Sequence, residues 1–98
     1  MKNNELYSLL ASLVSTNSVS GNEKGIVDFL DDKFTSLGFA VHRMESGSIC
    51  GVLDGDRPGK TVLLDAHIAT VGVPDVSKWT YDPVSLTRDG KRIYGRGT

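Results

Sequence analysis

The sequence has 98 residues, 39% of them apolar, and its 11 basic and 12 acidic side chains are interspersed. The length and apolar fraction predict one globular domain. The balanced, interspersed charges give no electrostatic basis for binding nucleic acid or an anionic membrane. No apolar stretch is suited to a signal peptide or a membrane span. The single cysteine, Cys50, excludes an internal disulfide and a cysteine-based zinc site, so a reducing cytoplasm is the expected compartment.

A first helix is predicted over residues 4–16, because apolar residues recur there with helical spacing. Asn3 or Asn4 is available as its cap, and Glu5 lies favourably near its positive end. The expected apolar face consists of Leu6, Leu9, Leu10, Leu13 and Val14.

A second helix is predicted over residues 22–37. Ser20 and Glu23 have the spacing of a capping box, which favours a helix start at this point. Gly38 is expected to end the helix in a left-handed conformation. The expected buried stripe consists of Ile26, Phe29, Leu30, Phe34 and Leu37.

The remaining chain predicts strands. Residues 39–44 and 49–53 flank a turn and indicate one antiparallel hairpin, and residues 84–88 and 92–94 flank Asp89-Gly90 and indicate another. Between these hairpins, an unbroken apolar run predicts a central strand over residues 60–67, buried on both faces. The expected fold class is therefore α/β, with two amino-terminal helices followed by a mixed sheet.

His67 lies at the carboxyl end of the predicted central strand. Ligands and catalytic groups gather at such ends in open α/β sheets, and a histidine there can bind metal or carry a proton. The alternative is a histidine that ends the strand and hydrogen-bonds locally, which this stretch alone favours.

Three other sequence features have structural interpretations. The Gly55 to Thr61 segment resembles a phosphate loop, but its glycines are too closely spaced and a strand follows it, so a turn is predicted. Cys50 has no adjacent base and is expected to be a buried structural thiol. Ser18 and Ser20 are explained by turn and cap chemistry, without the nucleophile elbow of a serine hydrolase.

Single polar or aromatic residues elsewhere also favour structural roles. Trp79 is expected to pack over the sheet rather than stack on a ligand. His42 is expected to face solvent from its strand. Asp28, Asp31 and Asp32 are expected on the solvated face of the second helix.

Several separated segments nevertheless occur together in one family pattern. They are residues 18–23, residues 37–39, residues 63–71, and the run from Trp79 through Asp82-Pro83 to the carboxyl-terminal Gly95-Arg96-Gly97-Thr98. In this order they resemble the start of the catalytic domain of dinuclear-zinc exopeptidases and amidohydrolases, the family of succinyl-diaminopimelate desuccinylase, acetylornithine deacetylase, aminoacylase and glutamate carboxypeptidase.

The resemblance implies a metal-binding role for His67. In that family a His-x-Asp motif ends the strand: the histidine binds one of two zinc ions and the aspartate orients it. Here the positions read His67-Ile68-Ala69, so the ligand is present and a methyl group replaces its orienting carboxylate. Loss of such a partner typically lowers metal affinity or activity about ten- to a hundredfold.

The resemblance also implies that residues 1–98 are one partial domain, incomplete at the carboxyl end. The family's bridging aspartate would follow Thr98 by two positions, and its general base and later ligands are also lacking. We therefore expect a cytoplasmic, deacylase-like fragment that is inactive alone, derived from an enzyme acting on N-acyl amino acids or peptides. The alternative is a non-catalytic paralogue or interaction module that kept the fold. Unpaired strand edges lead us to expect self-association.

Overall fold

The computed structural model describes residues 2–98 and confirms the α/β class predicted from the sequence. Within these residues the chain forms two α-helices, two antiparallel hairpins and a short 3₁₀ turn at Val76–Lys78. No helix in this part of the chain is long and apolar enough to cross a membrane. In chain order, the elements are α1 (Asn3–Ser15), α2 (Lys24–Ser36), β1 (Ala40–Arg43), β2 (Ile49–Val52), β3 (Thr87–Asp89) and β4 (Arg92–Tyr94).

Helix α1 begins one residue earlier than predicted. Lys2 occupies the cap position, rather than Asn3 or Asn4, because the Glu5 carboxylate reaches back and accepts a hydrogen bond from the Lys2 backbone amide at 3.3 Å. On the predicted apolar face Val14 is buried, whereas Leu6 is 56% exposed. The carboxyl-terminal end of α1 therefore contributes more to the core than its beginning does.

Helix α2 starts later than predicted, at Lys24, and the predicted capping box between Ser20 and Glu23 is not formed. The chain makes a tight turn first, in which the Asn22 amide donates to the Val19 carbonyl at 2.8 Å. Ser20 lies within this turn, and Glu23, the residue before the helix, makes no side-chain capping bond.

The end of α2 confirms the prediction for Gly38. This glycine has a φ of +90°, and its amide donates to the Thr35 carbonyl. The next amide, of Phe39, donates to the Phe34 carbonyl at 3.0 Å, which completes a Schellman motif. The rings of Phe34 and Phe39 lie 5.5 Å apart, so the motif also turns the chain back onto the helix.

The β1–β2 hairpin packs on α2 and is tied to it by charge. Arg43 on β1 contacts Asp28 at 2.8 Å and Asp31 at 3.5 Å, so these carboxylates are ion-paired rather than simply solvated as predicted, while Asp32 is exposed. Hydrogen bonds from Lys24 and then Arg43 hold the pKa of Asp28 below its ordinary value. The ion pairs of Asp28 therefore contribute to the free energy of unfolding at pH values above the ordinary pKa of this carboxyl. Their contribution is lost as the pH falls through the lowered pKa.

The β3–β4 hairpin lies against α1. The Tyr7 hydroxyl donates to the Leu86 carbonyl at 3.4 Å, and the guanidinium of Arg88 lies 4.7 Å from the centre of the Tyr7 ring. After β4 the backbone passes so close to α1 that a Cβ atom on Gly95 would lie 2.9 Å from Val14. This close approach requires glycine and fixes where the final residues run.

The central strand predicted over residues 60–67 is not formed, and this prediction is wrong for the described structure. Val62, Leu63 and Leu64 are 81%, 80% and 90% exposed instead of buried. The cause is the lack of a pairing partner within residues 2–98, since each hairpin strand pairs only with its own neighbour. The mixed sheet is accordingly replaced by separate two-stranded antiparallel sheets. Self-association through unpaired edges stays a prediction.

The dimensions of the chain agree with an incomplete core. Its radius of gyration is 15.7 Å, against about 13 Å for a compact domain of 100 residues. Among residues 2–98 the buried apolar side chains are those of Val14, Ile26, Val27 and Pro83. The structure is consistent with part of a larger domain.

We predict that Gly38→Ala lowers the free energy of unfolding by about 1 kcal/mol, because at positive φ the alanine Cβ lies too close to the backbone carbonyl oxygen. Gly59→Ala is the matched control, since its backbone is not left-handed and nothing lies within 4 Å of the added Cβ. Urea unfolding midpoints measure the difference. Equal losses from the two substitutions would contradict the role assigned to the Schellman motif.

Candidate functional site

His67 begins a short stretch, residues 67–71, which we call the site segment. Its firmest attachment is to the turn between α1 and α2. The Thr70 amide donates to the Ser18 carbonyl at 2.8 Å, their hydroxyl oxygens lie 3.1 Å apart, and Val19 and Thr70 form an isolated parallel bridge. Ser18 is only 1% exposed and Thr70 is half-buried, so the attachment is largely shielded from solvent.

Arg96 makes a second attachment to the site segment. Its Nη1 donates to the Val71 carbonyl at 3.0 Å, and its backbone amide donates to the Pro83 carbonyl at 2.8 Å. The Arg96 side chain can approach closely because Gly95 and Gly97 flank it, the latter with a φ of +84°. The site segment is therefore held between the first turn of the chain and its last residues.

The imidazole of His67 is exposed and makes one hydrogen bond within residues 2–98, in which Nδ1 lies 3.0 Å from the carbonyl oxygen of Ala69. A carbonyl oxygen only accepts, so this hydrogen bond requires the proton on Nδ1. Nε2 then keeps its lone pair for a metal ion or a proton. The backbone of residue 69 thus supplies an oxygen where the resemblance led us to expect an aspartate side chain.

The residues present do not fit a zinc site by themselves. His67 shares a pocket of about 300 Å³ with Glu23 and Asp65. Zinc in proteins takes at least three side-chain ligands, however, and no group of three or more histidine, cysteine, aspartate or glutamate residues within residues 2–98 could hold a metal ion. Residues 2–98 therefore offer one exposed imidazole and no complete coordination sphere.

The other candidate residues lie away from His67 or have structural roles. Cys50 is half-buried on β2 rather than fully buried, and His42 is exposed on β1 as predicted. Trp79 is 42% exposed and borders a separate pocket with Tyr81 and Tyr94, whose rings stack at 4.1 Å. None of these residues lines the pocket that His67 shares with Glu23.

Comparison with known proteins supports the resemblance over nearly the whole chain. The succinyl-diaminopimelate desuccinylase of Orientia tsutsugamushi (strain Boryong) is 30% identical over 98 residues, covering 94% of this chain and 25% of the enzyme. That of Variovorax paradoxus is 31% identical, covering 91% of this chain and 25% of the enzyme. The uncharacterised protein YgeY of Escherichia coli K12 is 30% identical, covering 96% of this chain and 23% of that protein.

The coverage of each relative limits what these similarities show. It spans about a quarter of the length of the curated relatives it matches. No family model matches the chain, and no solved structure is significantly similar to it. The similarity is therefore to one part of desuccinylase-like proteins, at the level of a family.

Sequence reasoning missed the roles of Ser18 and Arg96. The sequence predicts only turn chemistry for Ser18, because a hydroxyl gives no sign of a partner 52 residues away. For Arg96 the sequence indicates only membership of the family pattern. The available signal was its position between Gly95 and Gly97, because paired glycines let a backbone approach closely and bury a side chain that is usually exposed.

We predict that Thr70→Val destabilises the chain by about 1–3 kcal/mol, because the buried Ser18 hydroxyl loses its partner. Thr61→Val is the control: it makes the same change at an exposed position and is expected to have an effect within about 0.5 kcal/mol. Urea unfolding measures both. If Thr70→Val lowers the free energy of unfolding by less when Ser18 is already alanine, the two hydroxyls are coupled. If the effects of the two substitutions on that free energy simply add, the hydroxyls are not coupled.

We also predict that neutral His67 carries its proton on Nδ1. Long-range ¹H–¹⁵N correlation spectra above pH 8 distinguish the two tautomers by the shifts of the ring nitrogens. Exposed His42 serves as an internal reference in the same spectrum. A His67 pattern with the proton on Nε2 would show that the Ala69 carbonyl does not orient the ring in solution.

Proposed function

We propose that these residues are the amino-terminal part of a zinc-dependent hydrolase that cleaves the amide bond of an N-acyl amino acid or peptide. The observation that carries the proposal is the 30% identity to a succinyl-diaminopimelate desuccinylase across 94% of the chain. His67 is then the one metal ligand contributed by this part, and residues 1–98 are the amino-terminal segment of a zinc-exopeptidase-like catalytic domain, a single partial domain.

The contribution of this part of the chain follows from its own contacts. Ser18 and Arg96 hold the site segment, and the Ala69 carbonyl sets the ring orientation of His67. Nε2 is thereby presented to a metal ion whose remaining ligands come from elsewhere. Because the described residues provide no coordination sphere, no catalytic step is assigned to them, and the 98-residue chain alone is proposed to be inactive.

A second candidate is a non-catalytic module that keeps the fold of a hydrolase. Ala69 favours it, because a carbonyl is a weaker partner for a metal-bound histidine than a carboxylate. In that case the retained attachments of the site segment serve only the fold. A cytoplasmic location and self-association stay predictions under either candidate.

We predict that a chimera distinguishes these candidates. Residues 1–98 replace the matching quarter of the Variovorax paradoxus desuccinylase, with Ala69 unchanged, as Ala69→Asp, or as Ala69→Asp with His67→Ala. Restoring the carboxylate should raise chelator-sensitive hydrolysis of succinyl-diaminopimelate about ten- to a hundredfold over the Ala69 form. Removing His67 should abolish the gain.

The controls separate inactivity from failure to fold. Each chimera is checked by gel filtration and by elemental analysis for zinc, and the unmodified chain alone is expected to retain no stoichiometric zinc and to hydrolyse none of a panel of N-acyl amino acids and dipeptides. An Ala69→Asp chimera that binds two zinc ions but hydrolyses no substrate would contradict the hydrolase proposal. Stoichiometric zinc on the chain alone would overturn the partial-site interpretation.

A further inference from the structure

Arg96 is a buried cation without an anionic partner. The residue is 8% exposed, and within residues 2–98 its side chain donates one hydrogen bond, from Nη1 to the Val71 carbonyl. Its Nε is buried and has no acceptor. The ion pairs formed in this part of the chain involve Lys24 and Arg43, and none reaches Arg96.

A buried guanidinium with no anion beside it is energetically unfavourable. Arginine stays charged, so loss of a proton cannot relieve the cost of burial, and a buried charge is normally paired. Nε is enclosed by protein and out of reach of a ligand, and Nη1 is bound to a carbonyl, so Nη2 is the guanidinium nitrogen left for an anion. A charge-assisted hydrogen bond from Nη2 to a carboxylate oxygen supplies a countercharge.

Arg96 also lines a pocket of about 420 Å³ between α1 and the site segment. The wall contributed by the two helices is apolar and includes Leu10, Leu13 and Ile26. His67 lies on the same pocket, while the hydroxyls of Ser18 and Thr70 on its wall are already bonded to each other. The pocket therefore offers one unpaired cation and an aliphatic lining.

We propose that this pocket binds the carboxylate of a short aliphatic acid, with a carboxylate oxygen on Nη2 of Arg96 and the alkyl chain against Leu10 and Leu13. The carboxylate supplies the missing countercharge, and the chain covers apolar surface that the small core leaves open. This binding does not depend on zinc or on hydrolysis, so it stands or fails separately from the function proposed above.

The test is a titration of the unmodified chain with acetate, butyrate and hexanoate at constant ionic strength, followed by amide chemical shifts. Saturable shifts should centre on residues 67–71 and 95–97, and affinity should rise about threefold to fourfold for each methylene that enters the pocket. 1-Hexanol, which has the same alkyl chain without the charge, should bind at least about tenfold more weakly.

Matched variants assign the binding to Arg96. Arg96→Met removes the cation and should weaken hexanoate about tenfold, whereas Arg57→Met, the same change at an exposed arginine, should change nothing. Leu10→Phe leaves Arg96 intact and narrows the pocket, so it should weaken hexanoate but not acetate. This second variant and the unmodified titration remain informative if Arg96→Met fails to fold.

Two results would overturn the proposal. One is the absence of saturable hexanoate binding to the unmodified chain at tens of millimolar. The other is equal affinity for hexanoate and 1-hexanol, which would show an apolar pocket with no role for the guanidinium of Arg96.

Discussion

The pairing of the buried Ser18 with Thr70 is the constraint on which the candidate site depends. It joins residues 52 positions apart through a backbone bond and a hydroxyl pair, and it fixes the site segment against the turn between the helices. Within residues 2–98 the exposed His67 side chain makes one hydrogen bond, a local one, so its position follows from that attachment three residues later. The geometry of the histidine is thus determined by residues that take no part in its chemistry.

Local sequence signals predicted local structure well. Gly38 predicted the end of α2, and the residues around Asp89-Gly90 predicted the second hairpin, because turn and cap chemistry depends on few neighbouring residues. The bounds of the helices differ from those predicted by one or two residues, as fraying ends usually do. The capping box failed because a turn closed by Asn22 and Val19 competes for the same residues.

The prediction that depended on distant partners failed. An apolar run such as Val62 to Leu64 indicates burial, but burial of a strand needs neighbours on both edges and cover on both faces. Residues 2–98 provide neither, so the run stays exposed. The same distinction between local and distant signals applies to the candidate site. A local motif predicts His67, whereas its support from Ser18 and Arg96 arises only through long-range contacts.

The exposed run from Thr61 to Leu64 also determines how copies of the chain would stack if they formed cross-β assemblies. Lys60 precedes the run and Asp65 follows it, so it has opposite charges at its two ends. Parallel stacking in register would place each Lys60 beside the next at a spacing of about 4.8 Å, and likewise each Asp65, which repels. Antiparallel stacking would alternate lysine with aspartate along both edges. The charge pattern therefore opposes the parallel fibril and favours antiparallel pairing.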